Sequence, residues 1–287
     1  MAFEKRNHHY VPQFWQRGFR DHADQLYGRT GTTTKQVSTR STMQGDWLYT
    51  VFDAQWNPSD SLENALSVLE GTAAALFHRI CVQGCATSDT DRDELCSVLA
   101  LQACRHPDVM GRGHRRARDL GGLIASAHDL TDSDFAKEMA AFGVSANDAL
   151  AAYKLLIATP REQLAQELDE LNELSPQDAQ LPEQEALRAQ PVICAQLKKM
   201  EFTLVDAPAG SEFVLGDTPI PQQDLSHGFS VPLSKSVAVL AKPSTAGQTS
   251  MARRTATAAE VDAINKAQWE NSLHVVVGSS KAVLGAL

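Results

Sequence analysis

Apolar residues recur every three to four positions through the middle of this chain and form short runs or alternations near both ends. Leu62, Leu66, Leu69, Ala73, Leu76, Phe77 and Ile80 make one stripe at helical spacing, which predicts a helix over 61–83. Asp60 or Ser61 would cap it, with Glu63 adding a favourable charge in its first turn. Leu95, Val98, Leu99, Leu101 and Gln102 predict a second helix over 89–105. It should stop at Arg105-His106-Pro107, because proline disfavours helical geometry at the residue before it. From about 110 to 200 the chain reads as helical and rich in Ala, Leu, Gln and Glu. A break is expected at Phe142-Gly143-Val144-Ser145 with Ser145 as the next cap, a helix start at Thr159-Pro160-Arg161-Glu162, and an exposed loop over 175–182. Pro191 should kink or restart the helix over 183–199.

The ends read as strands. Gln25 to Arg29 and Lys35 to Ser38, around a Thr/Gly-rich turn, predict a hairpin, and 47–51 predicts a third short strand. Residues 201–205, 212–215, 229–233, 236–241 and 273–277 are further strand candidates, with a last helix over about 257–271. Strands at both ends and helices between them give an α+β fold. A mainly helical middle would pack on a small mixed or antiparallel sheet built from the N- and C-terminal regions. We expect one domain over 1–287, with sub-regions at 7–56, 60–200 and 201–287. Residues 1–6 read as a loose tail.

Composition narrows the class. Hydrophobic residues are 43% and charged residues 21% of the 287, a globular balance. The net charge of −9 opposes broad attraction to nucleic acid or an anionic membrane. The run Arg112, His114, Arg115, Arg116 and Arg118 is the one basic stretch that could meet a phosphate; a solvated helix face is the plainer reading. Five cysteines in mostly helical surroundings suit free thiols and a cytoplasmic location. Cys81 and Cys85 could share a helix face as metal ligands, but no second pair follows, and small buried residues explain them as well. No secretory signal and no membrane span are expected.

The chemistry concentrates in Asn7-His8-His9-Tyr10-Val11-Pro12-Gln13-Phe14-Trp15-Gln16-Arg17-Gly18-Phe19. An extended segment over 8–14 is expected to lead into a short helix at Pro12, with Gly18 as its stop and Phe14, Trp15 and Phe19 as anchors. In an extended segment His8 and His9 face opposite ways, so one could act while the other packs. A neutral imidazole suits general base work near pH 7; the alternative is that the pair ties the segment to the core. Asp217, after a strand and before Pro219, could orient a histidine, bind a metal or meet a ligand hydroxyl, or could close an Asx turn. Arg105 at a helix end could clamp a phosphate or carboxylate with its planar fork, or could form a salt bridge with Asp217 or a helix-end contact.

These stretches together resemble the bacterial domain-of-unknown-function family DUF4238. Its members begin with a His-His-Tyr-Val-Pro-Gln segment, similar to Asn7–Phe14 here. Arg105-His106-Pro107 is similar to its Arg-Thr-Pro segment. Phe213-Val214-Leu215-Gly216-Asp217-Thr218-Pro219-Ile220 is similar to its strand ending in Ser-Asp-Asn-Pro-Val, and Val261-Asp262-Ala263-Ile264-Asn265 to its late helix bearing an Asn. His106, Gly216 and Thr218 depart from that pattern. The resemblance implies a shared site and names no reaction.

If His8 or His9, Arg105 and Asp217 converge, with Gln13 and Asn265 as ligand contacts, the set suits a hydrolase of phosphodiester or other ester bonds, nuclease-like or nucleotide-directed, with water as nucleophile. For Asn265 a buried strut is the competing reading. A divalent metal through His and Asp is open. The other function class is a non-catalytic module that binds an anionic ligand or a protein partner through the same residues. An open pocket holding these groups together would favour the enzyme; burial with backbone partners would favour a structural clasp.

Overall fold

A computed structural model describes residues 7–46, 48–53, 55, 57–84, 88–110, 112–172, 187–221, 225–244 and 251–287, with only the backbone at 52, 112–116 and 170–172. The expected tail at 1–6, the loop over 175–182, Trp47, Cys85 and most side chains of the basic run lie outside the described residues. Two compact units emerge: 1–51, 58–109 and 185–287 form the first, and 52–57 with 110–184 form the second. The helical middle expected over 60–200 is therefore shared between them.

The first unit opens with β1 (Asn7–His9), α1 (Gln13–Arg17), the hairpin β2 (Leu26–Thr30) and β3 (Thr33–Val37), and β4 (Gln44–Asp46). Two-residue strands β5 (Val51–Phe52) and β6 (Pro58–Ser59) precede α2 (Ser61–Cys81), α3 (Asp89–Cys104) and the short α4 (Pro107–Met110). Ser88 and Asp91 form a capping box on α3, whereas Asp60 sits at the α2 N-cap without a side-chain bond. Residues 48–49 lie in a turn rather than in the strand expected over 47–51.

The second unit holds α5 (Arg112–Ala125), α6 (Asp132–Ala140), α7 (Ala146–Ala158) and α8 (Arg161–Asn172). Ser145 caps α7 through the Asp148 N–H, and Gly143 turns the chain before it at φ +80°, in the left-handed region. Phe135, Met139, Ala127 and Ala149 form a small core of their own, lined by Leu120, Leu123, Tyr153 and Leu156.

The first unit resumes with α9 (Gln190–Leu197), begun at Pro191 where a missing N–H is tolerated. Then come β7 (Met200–Asp206), β8 (Leu215–Gly216), β9 (Phe229–Pro232), β10 (Val237–Pro243), β11 (Met251–Thr255), α10 (Ala258–Asn271), β12 (Val276–Gly278) and α11 (Lys281–Gly285).

The described strands form two four-stranded sheets and two two-stranded ladders, β1–β4 and β5–β6. The order β3-β2-β12-β8 is antiparallel and joins the N-terminal hairpin to C-terminal strands. The order β11-β7-β10-β9 is mixed, because β11 runs parallel to β7. Leu76, Phe77 and Ile80 of α2 and Leu95 and Leu99 of α3 share one core with Phe202, Leu204, Val231 and Val239 of the mixed sheet. The fold is α+β, with helices packed on small sheets from both ends of the chain. Only Leu215 of the strand expected over 212–215 is in a ladder, since the preceding residues bond to α10 and Lys235 instead.

Candidate functional site

The segment from Asn7 to Phe19 is fastened on every side. β1 pairs with β4, so His8 and His9 alternate: His8 is fully buried and His9 half-buried. His8 Nδ1 accepts the Tyr49 backbone N–H at 2.8 Å, and the two rings stack at 5.5 Å. The Tyr10 N–H donates to Met43 O at 3.1 Å, and Trp15 Nε1–H reaches Pro232 O at 2.9 Å. Gln16 donates to the carbonyls of Val11 and Thr42. Phe14 and Trp15 meet Phe77 of α2 edge-on. Gly18 ends α1 in ordinary helical geometry at φ −62°; what it supplies is room, since a Cβ there would stand 3.2 Å from Trp15 O and 3.3 Å from Ser234 Cβ.

Arg105, 2% exposed, sits behind this segment at the end of α3. Its NH1 pairs with Glu70 of α2 at 2.8 Å, its NH2 donates to His9 O at 2.8 Å, and its Nε–H donates to the Tyr49 hydroxyl at 3.1 Å. The Tyr49 hydroxyl in turn donates to Arg105 O. Burial works against the charge on Arg105, but Tyr49 and Glu70 outweigh it and raise its pKa above the ordinary arginine value. Burial raises Tyr49 as well, against the pull of Arg105. Burial lowers the pKa of His9, opposed by the Thr39 carbonyl, which lies 2.8 Å from Nε2, and by Glu70.

Asp217 takes a different place. It is fully buried, and its carboxylate accepts the backbone N–H groups of Leu273, His274 and Val275 at 2.9, 2.8 and 3.1 Å. It thereby pins the chain between α10 and β12, a longer-range version of the Asx turn. Asn265 is a strut between α10 and the 212–214 segment: Oδ1 accepts from Val214 N–H and Nδ2–H donates to Glu212 O. Gln268, one turn on, holds Gly216 N–H and Pro219 O in the same way. Gln13, at the start of α1, has Arg17 and Thr39 as long side-chain partners at 3.4 Å.

Three of the stretches singled out from sequence, those holding Tyr10, His106 and Asp217, meet around Tyr10. Its ring touches His106 edge-on at 5.1 Å, and Gln102 Nε2–H donates to its carbonyl. Burial raises its hydroxyl pKa, and the carboxylates of Asp217 and Asp108 add to that. His106 Nδ1 accepts the Asp108 N–H at 3.1 Å. Among the described residues no group of three or more His, Cys, Asp or Glu is placed to hold a metal. Cys81, Cys96 and Cys104 are pushed up to about 11 by burial and stay thiols. No helix of the described residues is long and apolar enough to cross a membrane.

One open space borders the segment at Pro12, Phe14 and Trp15. A cleft of about 480 Å³ runs between α1, α2 and α3, walled by Pro12, Phe14, Trp15, Leu62, Leu66, Leu69, Val98 and Leu101, with Leu187 and Gln190 beside them. Glu70, Gln102 and Arg105 stand in it as polar groups. Glu70 and Gln102 were not singled out from sequence as ligand contacts. The signal was there: Glu70 falls four residues after Leu66 on the apolar stripe of α2, and Gln102 interrupts the stripe of α3.

No curated protein and no solved structure matches the chain. The sequence pattern of the family described as "Protein of unknown function (DUF4238)" matches residues 7–282, and the chain belongs to that family.

Proposed function

We propose that this protein is a small-molecule-binding module whose site is the α1–α3 cleft, with the His8–His9 segment as the clasp that builds one wall. One observation carries this reading: a concave space of about 480 Å³ with apolar walls and a few polar groups is the form that small-ligand sites take. Of the groups that a phosphodiesterase would need, Arg105 lines it, whereas His8, His9 and Asp217 are not among its lining residues. The buried carboxylate of Asp217 already serves three backbone N–H groups. His8 Nδ1 accepts a backbone N–H. Each guanidinium nitrogen of Arg105 has a protein partner, which weakens its use as an anion clamp, and Glu70 beside it repels an anion.

The hydrolase is kept as a second reading on the strength of His9, a half-buried imidazole held by the Thr39 carbonyl and biased towards its neutral form. The two readings separate experimentally. Titration calorimetry with octanol should give saturable one-site binding, weakened about tenfold or more by Val98→Phe, which narrows the cleft. Absence of saturable binding would sink the binding module. Cleavage of bis(p-nitrophenyl) phosphate or a p-nitrophenyl ester by the full chain, lost in a folded His9→Ala variant, would put the hydrolase in its place.

A further inference from the structure

Charge in the α1–α3 cleft is balanced within the protein. Among the described residues that line it, Glu70 and Arg105 are the two charged ones, and they pair with each other at 2.8 Å. The guanidinium also donates to His9 O and to the Tyr49 hydroxyl and is 2% exposed, so it is held in place rather than free to follow a ligand. The remaining polar side chains of the lining, Thr72, Ser97, Gln102 and Gln190, are neutral. The two amides keep both kinds of hydrogen-bonding capacity. Gln102, one helical turn before Arg105, spends one Nε2–H on Tyr10 O, and Gln190 spends one on Ser97 O. The second N–H and the carbonyl oxygen of each have no partner among the described residues. The cleft therefore offers a ligand donors and acceptors together but no unbalanced charge.

Resting on the binding reading above, we infer that the cleft takes uncharged amphiphiles: an apolar body whose head both donates and accepts hydrogen bonds, a primary alcohol being the simplest case, with the head among these polar groups. A charged head would give up its hydration to meet an ion pair that is already neutral. An ammonium drawn to Glu70 is repelled by Arg105, and a carboxylate drawn to Arg105 is repelled by Glu70, so neither recovers that cost. A hydroxyl gives up less hydration and finds a partner in a donor or an acceptor alike. Glu70 thus has a definite part in selection: it cancels the Arg105 charge that would otherwise draw an anion into the cleft.

The test uses the full chain at about pH 7.5, where an alkylamine and a carboxylate are both charged, and three probes of equal length: octanol, octylamine and octanoate, each below its micelle concentration, by titration calorimetry. Octanol is expected to bind about tenfold or more tightly than either ion. In Glu70→Gln, checked for folding by circular dichroism, the Arg105 charge is left unbalanced. There octanoate should gain about tenfold or more relative to octanol, while octylamine gains nothing. This change separates selection by the ion pair from the preference that any apolar cleft has for an alcohol. Octylamine or octanoate binding the unaltered protein as tightly as octanol overturns the uncharged ligand while leaving the cleft as a binding site. An octanoate-to-octanol ratio that does not move in folded Glu70→Gln overturns the ion pair as the cause. If no probe binds, both this inference and the binding reading fall. Should Glu70→Gln fail to fold, the probe order on the unaltered protein decides alone.

Discussion

His9 lies in surroundings that disfavour its charged form, and the consequence is a stability that depends on pH. Burial, opposed by Thr39 O and Glu70, holds its folded pKa below 6.5, close to the value that the unfolded chain would have. The unfolded state therefore takes up the proton first as pH falls. The His9 contribution is complete above about pH 6.5 and declines below it, down to the folded pKa, by at most about 1.4 kcal/mol per pH unit. Urea unfolding of the wild type and His9→Gln should show the two stability curves converging as pH falls below about 6.5; parallel curves would remove His9 as the cause. Asp217 acts through geometry instead. Asp217→Ala deprives three backbone N–H groups of their acceptor and should cost about 3 kcal/mol or more, read as a lowered urea midpoint. A change under about 0.5 kcal/mol would mean that water replaces the carboxylate.

At the scale of elements, α10 explains why β8 carries a glycine: a Cβ at Gly216 would meet the Gln268 carbonyl of α10 at 2.8 Å, as well as the Ser272 side chain. Here Gly216 lets helix and strand approach while Ser272 supplies a hydroxyl from the helix side, donating to Gln268 O. Gly216→Ser should lower the melting temperature by several degrees, and adding Ser272→Ala should recover only part, because the Gln268 backbone remains in the way. Full tolerance of Gly216→Ser would show that α10 can move out. The same elements mark what was legible in sequence. The stripes of α2 and α3, the cap at Ser145, the restart at Pro191 and the α10 helix follow from periodicity and local chemistry, which act within a few residues. β11 was missed because Arg253 and Arg254 break its alternation. Arg253 makes its bonds to Asp206 and Ile80 O through the fold, which no local pattern records. The roles of His8, Arg105 and Asp217 were open for the same reason: their partners lie about 35 to 96 positions away.

At the scale of the whole molecule, the second unit has a small core of its own. The second unit depends on Phe135, fully buried, with Met139 and Ala149. Phe135→Ala should cost about 3–5 kcal/mol there. Scanning calorimetry should then show one transition moved down and another in place, with octanol binding at the cleft retained. A single transition that moves as a whole would mean that the two units unfold together. The helical stretch over 60–200 is divided between the two units without any break in its periodicity that marks the division. Periodicity reports which face of a helix is apolar and is silent on which core that face joins.

The fastening of the N-terminal segment also bears on how the protein is made. Trp15 closes on Pro232, 217 positions later, and Arg29 on Leu284, 255 positions later. The hairpin β2–β3 waits for β12 to complete its sheet. At about 5–20 residues per second a ribosome needs roughly ten to forty seconds to supply the Trp15 partner. Through that interval Phe14, Trp15 and Phe19 have left the exit tunnel with their final core unfinished. The segment that anchors the finished fold thus waits longest for its partners, and the first unit can complete itself only once β12 has been made.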